Sequence, residues 1–248
     1  MKLSFIIPAF NEEQYLGKCL SSVLAEIARH TNLEAEVIVV NNASTDRTVE
    51  IALSFPNVKV VEENNKGLVF ARQAGAAAAT GDILAHVDAD CVLPEGWIKT
   101  AVEEFSRSEN LVALSGPYIV YDLSKFKNFQ IRLFYRLAYV TYLLNRFVLK
   151  NNSMLQGGNI LVRRRAWEKM GQPSKGFEFY GEDAELARRL NKIGKVKFTF
   201  KLPMQTSGRR LVKEGVWTMA FRYSMNYFFV TFLNKPFTKK YKDIRINP

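Results

Sequence analysis

Short apolar runs alternate with helical segments over the first third of the chain, and this alternation restricts the fold more than any other feature. The runs lie between turn-forming residues and have no helical period, so each is predicted to be a strand. They cover residues 3–8, 36–40, 58–61 and 82–87. Asn11 is predicted to cap the first helix. Strands that alternate with helices predict right-handed crossovers and an α/β fold, with a mostly parallel sheet and helices on both faces.

Polar loops follow three of the predicted strands, at residues 8–11, 41–46 and 88–90. Ligands of such sheets bind at the carboxyl ends of the strands, so the three loops are predicted to form one site. Asp88 and Asp90 point the same way in an extended segment, so both carboxylates can meet one hard cation and the phosphate oxygens that it carries. Taken alone, the tripeptide also fits two solvated aspartates in a loop.

The composition is that of a globular protein that meets an anionic partner. Its 248 residues, 48% of them hydrophobic, suffice for one large α/β domain or two small ones. The formal net charge of +11 indicates contact with nucleic acid, an anionic membrane surface or a phosphorylated substrate. Cys19 and Cys91 have the spacing of neither a disulfide framework nor a metal site, so a reducing, cytoplasmic location is expected. The first apolar run is too short for a signal peptide.

Two segments are predicted to form helices at a membrane surface. Residues 123–167 contain no acidic residue, and basic residues are interspersed with aromatic ones. Such a helix lies in a membrane interface or against an anionic partner, and a helix packed on the sheet is the alternative. Residues 216–233 are almost wholly apolar apart from Arg222 and precede a basic tail. They predict a second interfacial helix, with a transmembrane or re-entrant segment as the alternative.

Eight short motifs follow one another along the chain. They are FIIPAFNE at residues 5–12, VVNNASTD at 39–46, NKG at 65–67, ARQAG at 71–75, TGD at 80–82, DAD at 88–90, GGN at 157–159 and GED at 181–183. In this order they resemble the family 2 glycosyltransferases with the GT-A fold. The resemblance covers about residues 3–193. It implies a Rossmann-like GT-A sheet, here followed by interfacial helices.

The resemblance implies that six residues bind the donor nucleotide: Pro8, Phe10, Asn11, Asn41, Arg72 and Asp88. Phe10 is expected to stack on the nucleobase, and Asn41 to lie at the base edge. The family more often has Asp at the latter position, so the identity of the base stays open. Arg72 is expected to contact the base or a phosphate, with a surface salt bridge as the alternative. Asp88 is expected to meet the ribose or the metal.

The resemblance also implies a divalent cation, Mg²⁺ or Mn²⁺, held by Asp90 and Asp88 at the donor diphosphate. The cation neutralises the charge that develops on the leaving diphosphate. Many relatives add a histidine downstream, whereas both histidines of this chain lie before Asp88. Arg209 and Arg210, expected in a loop after a glycine, can supply positive charge instead.

The acidic pair Glu182 and Asp183 is implied to be catalytic, with Gly157, Gly158 and Asn159 on the acceptor side. Asp183 is the expected general base. It takes the proton from an acceptor hydroxyl that attacks the anomeric carbon from the face opposite the diphosphate, so the configuration inverts. A place in the first turn of a helix favours the ionised form of Asp183. An acidic pair that only charges the start of a helix is the alternative.

The predicted protein is an inverting, metal-dependent transferase that uses a UDP- or GDP-sugar. The expected acceptor is a glycan, a lipid-linked group or a polyprenyl phosphate at an anionic membrane surface, which places the protein peripherally on the cytoplasmic face. A GT-A domain is predicted at residues 1–211, with a nucleotide-binding half at 1–110 and an acceptor-side half at 111–211. An apolar helix and a basic tail follow at residues 212–248.

Three other functions compete with this prediction. One is a catalytically degenerate GT-A domain that acts as a scaffold at a membrane. Another is a nucleic-acid-binding protein, but no binding motif accompanies the basic segment, so nucleic acid is not an expected partner. The third is a nucleotidyltransferase, which would need a Gly-rich phosphate loop after the first strand, and residues 8–11 are not one. The sequence leaves the sugar and the oligomeric state open.

Overall fold

The computed structural model describes residues 1–147, 154–172, 177, 180–233 and 235–238. Its strands are β1 (Leu3–Ala9), β2 (Ala35–Asn41), β3 (Val58–Glu62), β4 (Ile83–Val87), β5 (Cys91–Val92), β6 (Leu111–Ser115), β7 (Tyr118–Val120), β8 (Asn159–Arg163), β9 (Lys195–Phe198) and β10 (Met204–Thr206). Its helices are α1 (Leu16–Ala28), α2 (Thr48–Leu53), α3 (Leu68–Ala78), α4 (Trp97–Ser106), α5 (Lys125–Phe147), α6 (Arg164–Met170), α7 (Glu182–Leu190), α8 (Arg209–Glu214) and α9 (Val216–Leu233). The alternation predicted for the first part of the chain is therefore confirmed.

Seven strands form the central sheet, in the order β3-β2-β1-β4-β8-β6-β9. β1 pairs in parallel with β2 and β4, whereas β8 runs antiparallel to its neighbours β4 and β6. The sheet is mostly parallel, as predicted. Because β8 is reversed, it begins at the edge where β4 ends, and Asn159 pairs with Val87. A second sheet, β5-β10-β7, pairs Cys91 with Thr206 and so joins the segment after Asp90 to the segment before α8.

Apolar side chains cover both faces of the central sheet. Phe5 and Ile7 of β1 are buried with residues of α1 and α4, whereas Ile6 between them is buried with residues of α3. Successive side chains of a strand point to opposite faces, which produces this division. Gly75 lets α3 pack closely on the sheet, since a Cβ atom there would lie 2.3 Å from Ile6 Cγ2. Each such buried side chain contributes about 1.5–3 kcal/mol.

The first helix begins later than predicted. α1 starts at Leu16 and not directly after Asn11. Asn11 has a positive φ of 53°, and its Oδ1 atom accepts a hydrogen bond from Thr45 N at 2.8 Å. Its side chain therefore joins two loops, and the prediction that it caps α1 is wrong.

Arg209 and Arg210 were predicted in a loop, and this is also corrected. They are the first two residues of α8. Asp122 accepts hydrogen bonds from Ser207 Oγ and Gly208 N, each at 2.6 Å. These bonds hold the backbone turn that directly precedes the two arginines.

The two helices predicted for a membrane surface are present as α5 and α9. Tyr135 and Tyr142 of α5 pack with Phe198, and Val230 of α9 packs with Ala184 of α7. Within the part of the chain that the structure describes, no helix has the length and apolar character needed to cross a membrane. Part of the predicted loop at residues 176–181 and the basic tail after residue 238 lie outside the described residues. The predicted boundary at residues 211/212 falls within α8, and the division into domains stays a prediction.

Candidate active site

Loops from β1 and β2 meet at the carboxyl edge of the central sheet. The strands end in register, with Ala9 opposite Asn41. Asn11 N donates a hydrogen bond to Ser44 Oγ at 3.1 Å. Asn41 is buried, and its polar atoms have partners within the protein. Its Nδ2 atom donates to Glu62 Oε2 at 2.7 Å, and its Oδ1 atom accepts from Ser44 N at 3.0 Å. Both asparagine side chains shape these loops, and their predicted contacts with a donor stay predictions.

A cavity of about 930 Å³ begins between these loops. Pro8 and Phe10 line one of its walls. Lys66 Nζ lies 4.9 Å from the centre of the Phe10 ring. An aromatic ring and a nearby cation suit a flat, electron-rich base and the phosphates attached to it.

Asp88 lies directly after β4, and its side chain is 36% exposed. Its Oδ2 atom accepts a hydrogen bond from Tyr118 OH at 3.5 Å, and the same hydroxyl oxygen accepts from Gly158 N at 2.7 Å. A Cβ atom at Gly158 would lie 2.3 Å from Asp88 Oδ2 and 2.5 Å from Tyr118 OH. Gly158, predicted on the acceptor side, is therefore needed for the position of Asp88, which is predicted to bind the donor.

Asp90 forms an ion pair with Arg209. Arg209 Nε lies 3.0 Å from Asp90 Oδ2, and the two terminal nitrogens of Arg209 donate to Glu12 at 2.8 and 2.7 Å. Burial raises the pKa of Asp90 to about 7; Arg209 acts in the opposite direction, and the charges of Glu12 and Asp88 raise it further. One guanidinium group thus pairs with two carboxylates, buried Glu12 and partly buried Asp90, so the Asp90 charge is only partly compensated.

Asp88 and Asp90 fit a divalent cation that shares its coordination with a donor. Carboxylate oxygens are the ligands that Mg²⁺ and Mn²⁺ prefer. Among the described residues, no group of three or more His, Cys, Asp or Glu side chains is arranged to hold a metal ion by itself. A cation bound here would therefore complete its shell with diphosphate oxygens or water.

Arg72 links Asp88 to the acidic pair. Its side chain is 3% exposed and forms ion pairs with Glu182 and, at 3.3 Å, with Asp88. Its Nη2 atom also donates to Gly157 O at 2.8 Å, and a Cβ atom at Gly157 would lie 3.3 Å from that nitrogen. The alternative of a surface salt bridge is wrong, since the pair with Glu182 is buried. A direct contact between Arg72 and a donor stays a prediction.

The two acidic residues of the predicted catalytic pair have different surroundings. Asp183 lines the cavity, whereas Glu182 is held by Arg72. The start of a helix was expected to favour the ionised form of Asp183, but burial raises its pKa to about 7, and the neighbouring Glu182 charge raises it as well. A hydrogen bond from Ala184 N to Asp183 Oδ1 at 2.8 Å has the opposite effect. A carboxylate in this range is a stronger base than an ordinary aspartate, as a general base requires.

Asn159 is fully buried below the site. Its Nδ2 atom donates to Gly116 O at 3.2 Å and Leu202 O at 2.9 Å, and its Oδ1 atom accepts from Trp97 Nε1 at 3.1 Å. It anchors the start of β8, which carries Gly158 to Asp88. Asn159 therefore supports the site by holding the backbone, and a role on the acceptor side stays a prediction.

The sequence did not single out three residues of this site. Glu12 lies in the opening motif, but its partner Arg209 is distant in sequence. Tyr118 follows Gly116 and Pro117, and this sequence carries no functional signal. Asp122 fixes the backbone before Arg209, as described above. An exposed acidic residue after a strand gives no indication of such a role.

Known proteins share the sequence pattern over most of the chain. The sequence profile described as Glycosyl transferase family 2 matches residues 4–171. Glycosyltransferase AglE of Haloferax volcanii is 25% identical over 246 aligned residues, which cover 88% of this chain and 80% of that protein. Seven further curated relatives match under half of this chain and at most 40% of their own length.

Solved structures share the fold. A mannosyltransferase from Pyrobaculum calidifontis, in complex with GDP-Man and Mn²⁺, has a TM-score of 0.67 and 18% identity, over 94% of this chain and 64% of that chain. Glucosyl-3-phosphoglycerate synthase from Mycobacterium tuberculosis, in complex with Mn²⁺, UDP-Glc and phosphoglyceric acid, has a TM-score of 0.61 and 19% identity, over 95% and 80%. At this identity the likeness shows the fold, and the GT-A fold implied by the sequence is confirmed.

Proposed function

Since the chain belongs to glycosyl transferase family 2, we propose that the protein is an inverting glycosyltransferase that uses a nucleoside-diphosphate sugar. One observation carries this proposal: Phe10, Asp88, Asp90 and Asp183 all line the same cavity. An aromatic wall, two carboxylates after a strand and a carboxylate of raised pKa are the groups that binding a nucleotide sugar and attacking its anomeric carbon require.

The donor is proposed to be a UDP- or GDP-sugar. Phe10 would stack on the base, and Lys66, close to the Phe10 ring, would meet a phosphate. Asp88 would accept a hydrogen bond from the ribose. Proteins of the same fold bind either nucleotide, GDP-Man in one case and UDP-Glc in the other, so the fold does not choose the base.

Asp90 and Asp88 would hold Mg²⁺ or Mn²⁺ at the diphosphate. When bound, the cation supplies positive charge to the leaving diphosphate. Arg209 would also supply positive charge to the leaving diphosphate, since it lies beside Asp90 and is held by Glu12. Both structural relatives named above contain Mn²⁺ with a nucleotide sugar, which supports a divalent cation in this protein.

Asp183 would act as the general base. It would accept the proton of the acceptor hydroxyl while the hydroxyl oxygen forms a bond to the anomeric carbon. The bond between that carbon and the diphosphate oxygen breaks on the opposite face, and the electron pair leaves with the nucleoside diphosphate. Arg72 would hold Glu182 ionised and away from the acceptor. A phosphate acceptor is already ionised, and Asp183 would then orient it.

The acceptor is proposed to be a glycan, a lipid-linked group or a polyprenyl phosphate at the cytoplasmic face of a membrane. The exposed basic residues of α5, among them Lys125, Arg132 and Arg136, support peripheral binding to an anionic leaflet. Each such residue near the surface contributes about 1 kcal/mol.

Thermal unfolding with a panel of nucleoside diphosphates, with and without Mn²⁺, tests this function. We expect Mn²⁺-dependent stabilisation by UDP or GDP, followed by release of that diphosphate from its sugar donors when membrane lipid extract is added. Binding of a nucleoside diphosphate without any transfer would favour the degenerate, scaffolding domain. Stabilisation by oligonucleotides alone would overturn the proposal.

A further inference from the structure

The cavity continues from the donor loops into the space between α5 and α9. The side chains that line this second part are mainly apolar or aromatic, and they include Ile131, Phe134, Ala138, Trp217, Ala220 and Phe228. Trp217 and Phe228 are 73% and 48% exposed. The two helices therefore border an open apolar groove, named the α5/α9 groove below, that is continuous with the space around Asp183.

α5 presents three different faces around its circumference. Tyr135 and Tyr142 are buried in the protein, and Phe134 and Ala138 line the groove. A third, exposed stripe contains Phe126, Phe129, Leu133, Leu137 and Val140. Their spacings of three or four residues place them on one side of the helix, and at about 100° per residue this side adjoins the groove. The apolar surface thus runs from inside the groove to the outside of the protein.

The charges of these helices are all positive. α5 carries Lys125, Lys127, Arg132, Arg136 and Arg146, and α9 carries Arg222, without an acidic residue in either sequence. Arg210 of α8 also lines the cavity. Its Nη1 atom donates hydrogen bonds to Tyr180 OH at 3.2 Å and to Glu214 Oε1 at 2.8 Å, and Glu214 also pairs with Arg222, so two guanidinium groups share one carboxylate. The net charge of these three groups is positive, so an apolar groove that also contains a guanidinium group is complementary to a long aliphatic chain that ends in a phosphate.

We propose that the α5/α9 groove binds the lipid part of the acceptor, a single long aliphatic chain joined to a phosphate group. This inference rests on the function proposed above and selects one of its acceptor classes. The chain lies between Phe134 and Trp217, the phosphate is bound by Arg210, and the group to be glycosylated reaches Asp183. The exposed stripe of α5 lies on the bilayer surface, so the chain passes from lipid to groove without crossing water.

Binding of farnesyl phosphate to the full chain tests the proposal without donor or catalysis. Ethyl phosphate lacks the chain and farnesol lacks the phosphate, so these two compounds are matched controls. Titration calorimetry below the micellar concentration should give at least tenfold tighter binding of farnesyl phosphate than of either control. Equal affinities for farnesyl phosphate and ethyl phosphate would show that the groove does not bind the aliphatic chain. Equal affinities for farnesyl phosphate and farnesol would show that Arg210 does not bind the phosphate.

Three tryptophan substitutions locate the site. Ala138→Trp and Ala220→Trp fill the groove from opposite helices and should weaken binding of farnesyl phosphate at least tenfold. Thr218→Trp is the control, since Thr218 is exposed on α9 and lies outside the cavity lining. It should bind like the wild type. Equal affinity of all three variants would show adsorption to the surface and overturn the proposal. The comparison of the three compounds on the wild type decides the matter if a groove variant does not fold.

Binding of UDP and GDP is measured on the same samples. If the protein binds a nucleoside diphosphate but not farnesyl phosphate, the lipid-binding inference is wrong and the proposed function stands. A chain that binds farnesyl phosphate but no nucleoside diphosphate loses the proposed function, and the groove is then not an acceptor site. Binding of neither overturns both.

Discussion

Arg209 Nε lies 3.0 Å from Asp90 Oδ2, so a guanidinium group of α8 stands beside the carboxylate proposed to hold the metal ion. The same group is fixed by two hydrogen bonds to Glu12. A divalent cation at Asp90 would be repelled by the Arg209 guanidinium group at short range, unless the diphosphate of a donor brings compensating negative charge. In the proposed site, the ion pair would therefore couple the binding of metal to the binding of donor.

We predict weak binding of Mn²⁺ to the wild-type protein without nucleotide. Replacing Arg209 with Ala removes a positive charge next to Asp90 and should strengthen binding of Mn²⁺ alone about tenfold or more. Electron paramagnetic resonance of free Mn²⁺ measures this affinity directly. Arg209→Lys keeps the charge and is the matched control. Tight binding of Mn²⁺ to the wild type without nucleotide would contradict the coupling.

Asp183→Asn should lower kcat for transfer to a hydroxyl acceptor by about 10²–10⁴-fold, because the amide cannot accept the proton. Affinity for UDP or GDP should stay within about twofold, since the donor loops are untouched. Steady-state kinetics and thermal shift measure the two effects. Glu109→Gln, at an exposed ion pair with Arg165, is the control and should leave both unchanged. Transfer at the wild-type rate in the Asn variant would exclude Asp183 as the base.

The acid limb of kcat/KM should follow the raised pKa of Asp183 with a hydroxyl acceptor. The base must be ionised, so activity rises with pH through about 7 rather than near the usual value of an aspartate. Glu182→Gln removes the neighbouring negative charge and leaves Arg72 to stabilise the Asp183 carboxylate. The limb should therefore move to lower pH. A pH profile that stays in place or moves upward would show that another group controls the limb.

Gly158→Ala should weaken binding of UDP or GDP about tenfold or more, because the new methyl group would displace the Asp88 carboxylate and the Tyr118 hydroxyl. Gly17→Ala in α1 is the matched control. A Cβ atom there meets Ile51 at an ordinary 3.7 Å, so the substitution should raise stability by about 0.5–1 kcal/mol and leave binding unchanged. Calorimetric titration of both variants makes the comparison, and equal affinities would disprove the role of Gly158.

Arg72→Met should lower the free energy of unfolding by about 3–5 kcal/mol, because it leaves the Glu182 carboxylate buried without its partner. Adding Glu182→Gln should recover part of this loss. Arg47→Met is the control: Arg47 and Glu50 are 71% and 64% exposed, so breaking their pair should leave the free energy of unfolding nearly unchanged. Urea unfolding measures all three variants. Equal losses for Arg72→Met and Arg47→Met would show that the Arg72 pair is not structural.

Local patterns in the sequence predicted the strands and helices of the first half, together with the positions of Asp88, Asp90 and Asp183. Such features depend on residues close together in the chain, through the side-chain period of a strand or the loop that ends it. The prediction that Asn11 caps α1 is wrong because the partner of its side chain, Thr45, belongs to a loop distant in sequence. Asn41 also has a partner, Glu62, that no local pattern indicates.

The sequence by itself thus determined the α/β class, the carboxylates at the strand ends and the positive charge of α5. The tertiary structure alone decided which of these groups meet. Antiparallel pairing of β8 with β4 brings Gly158 to Asp88, and pairing of β10 with β5 brings Arg209 to Asp90. Contacts between distant segments follow from strand pairing and burial, which a local pattern does not encode. They turn an Asp-Ala-Asp loop into a charged site with a fixed guanidinium group and a cavity beside it.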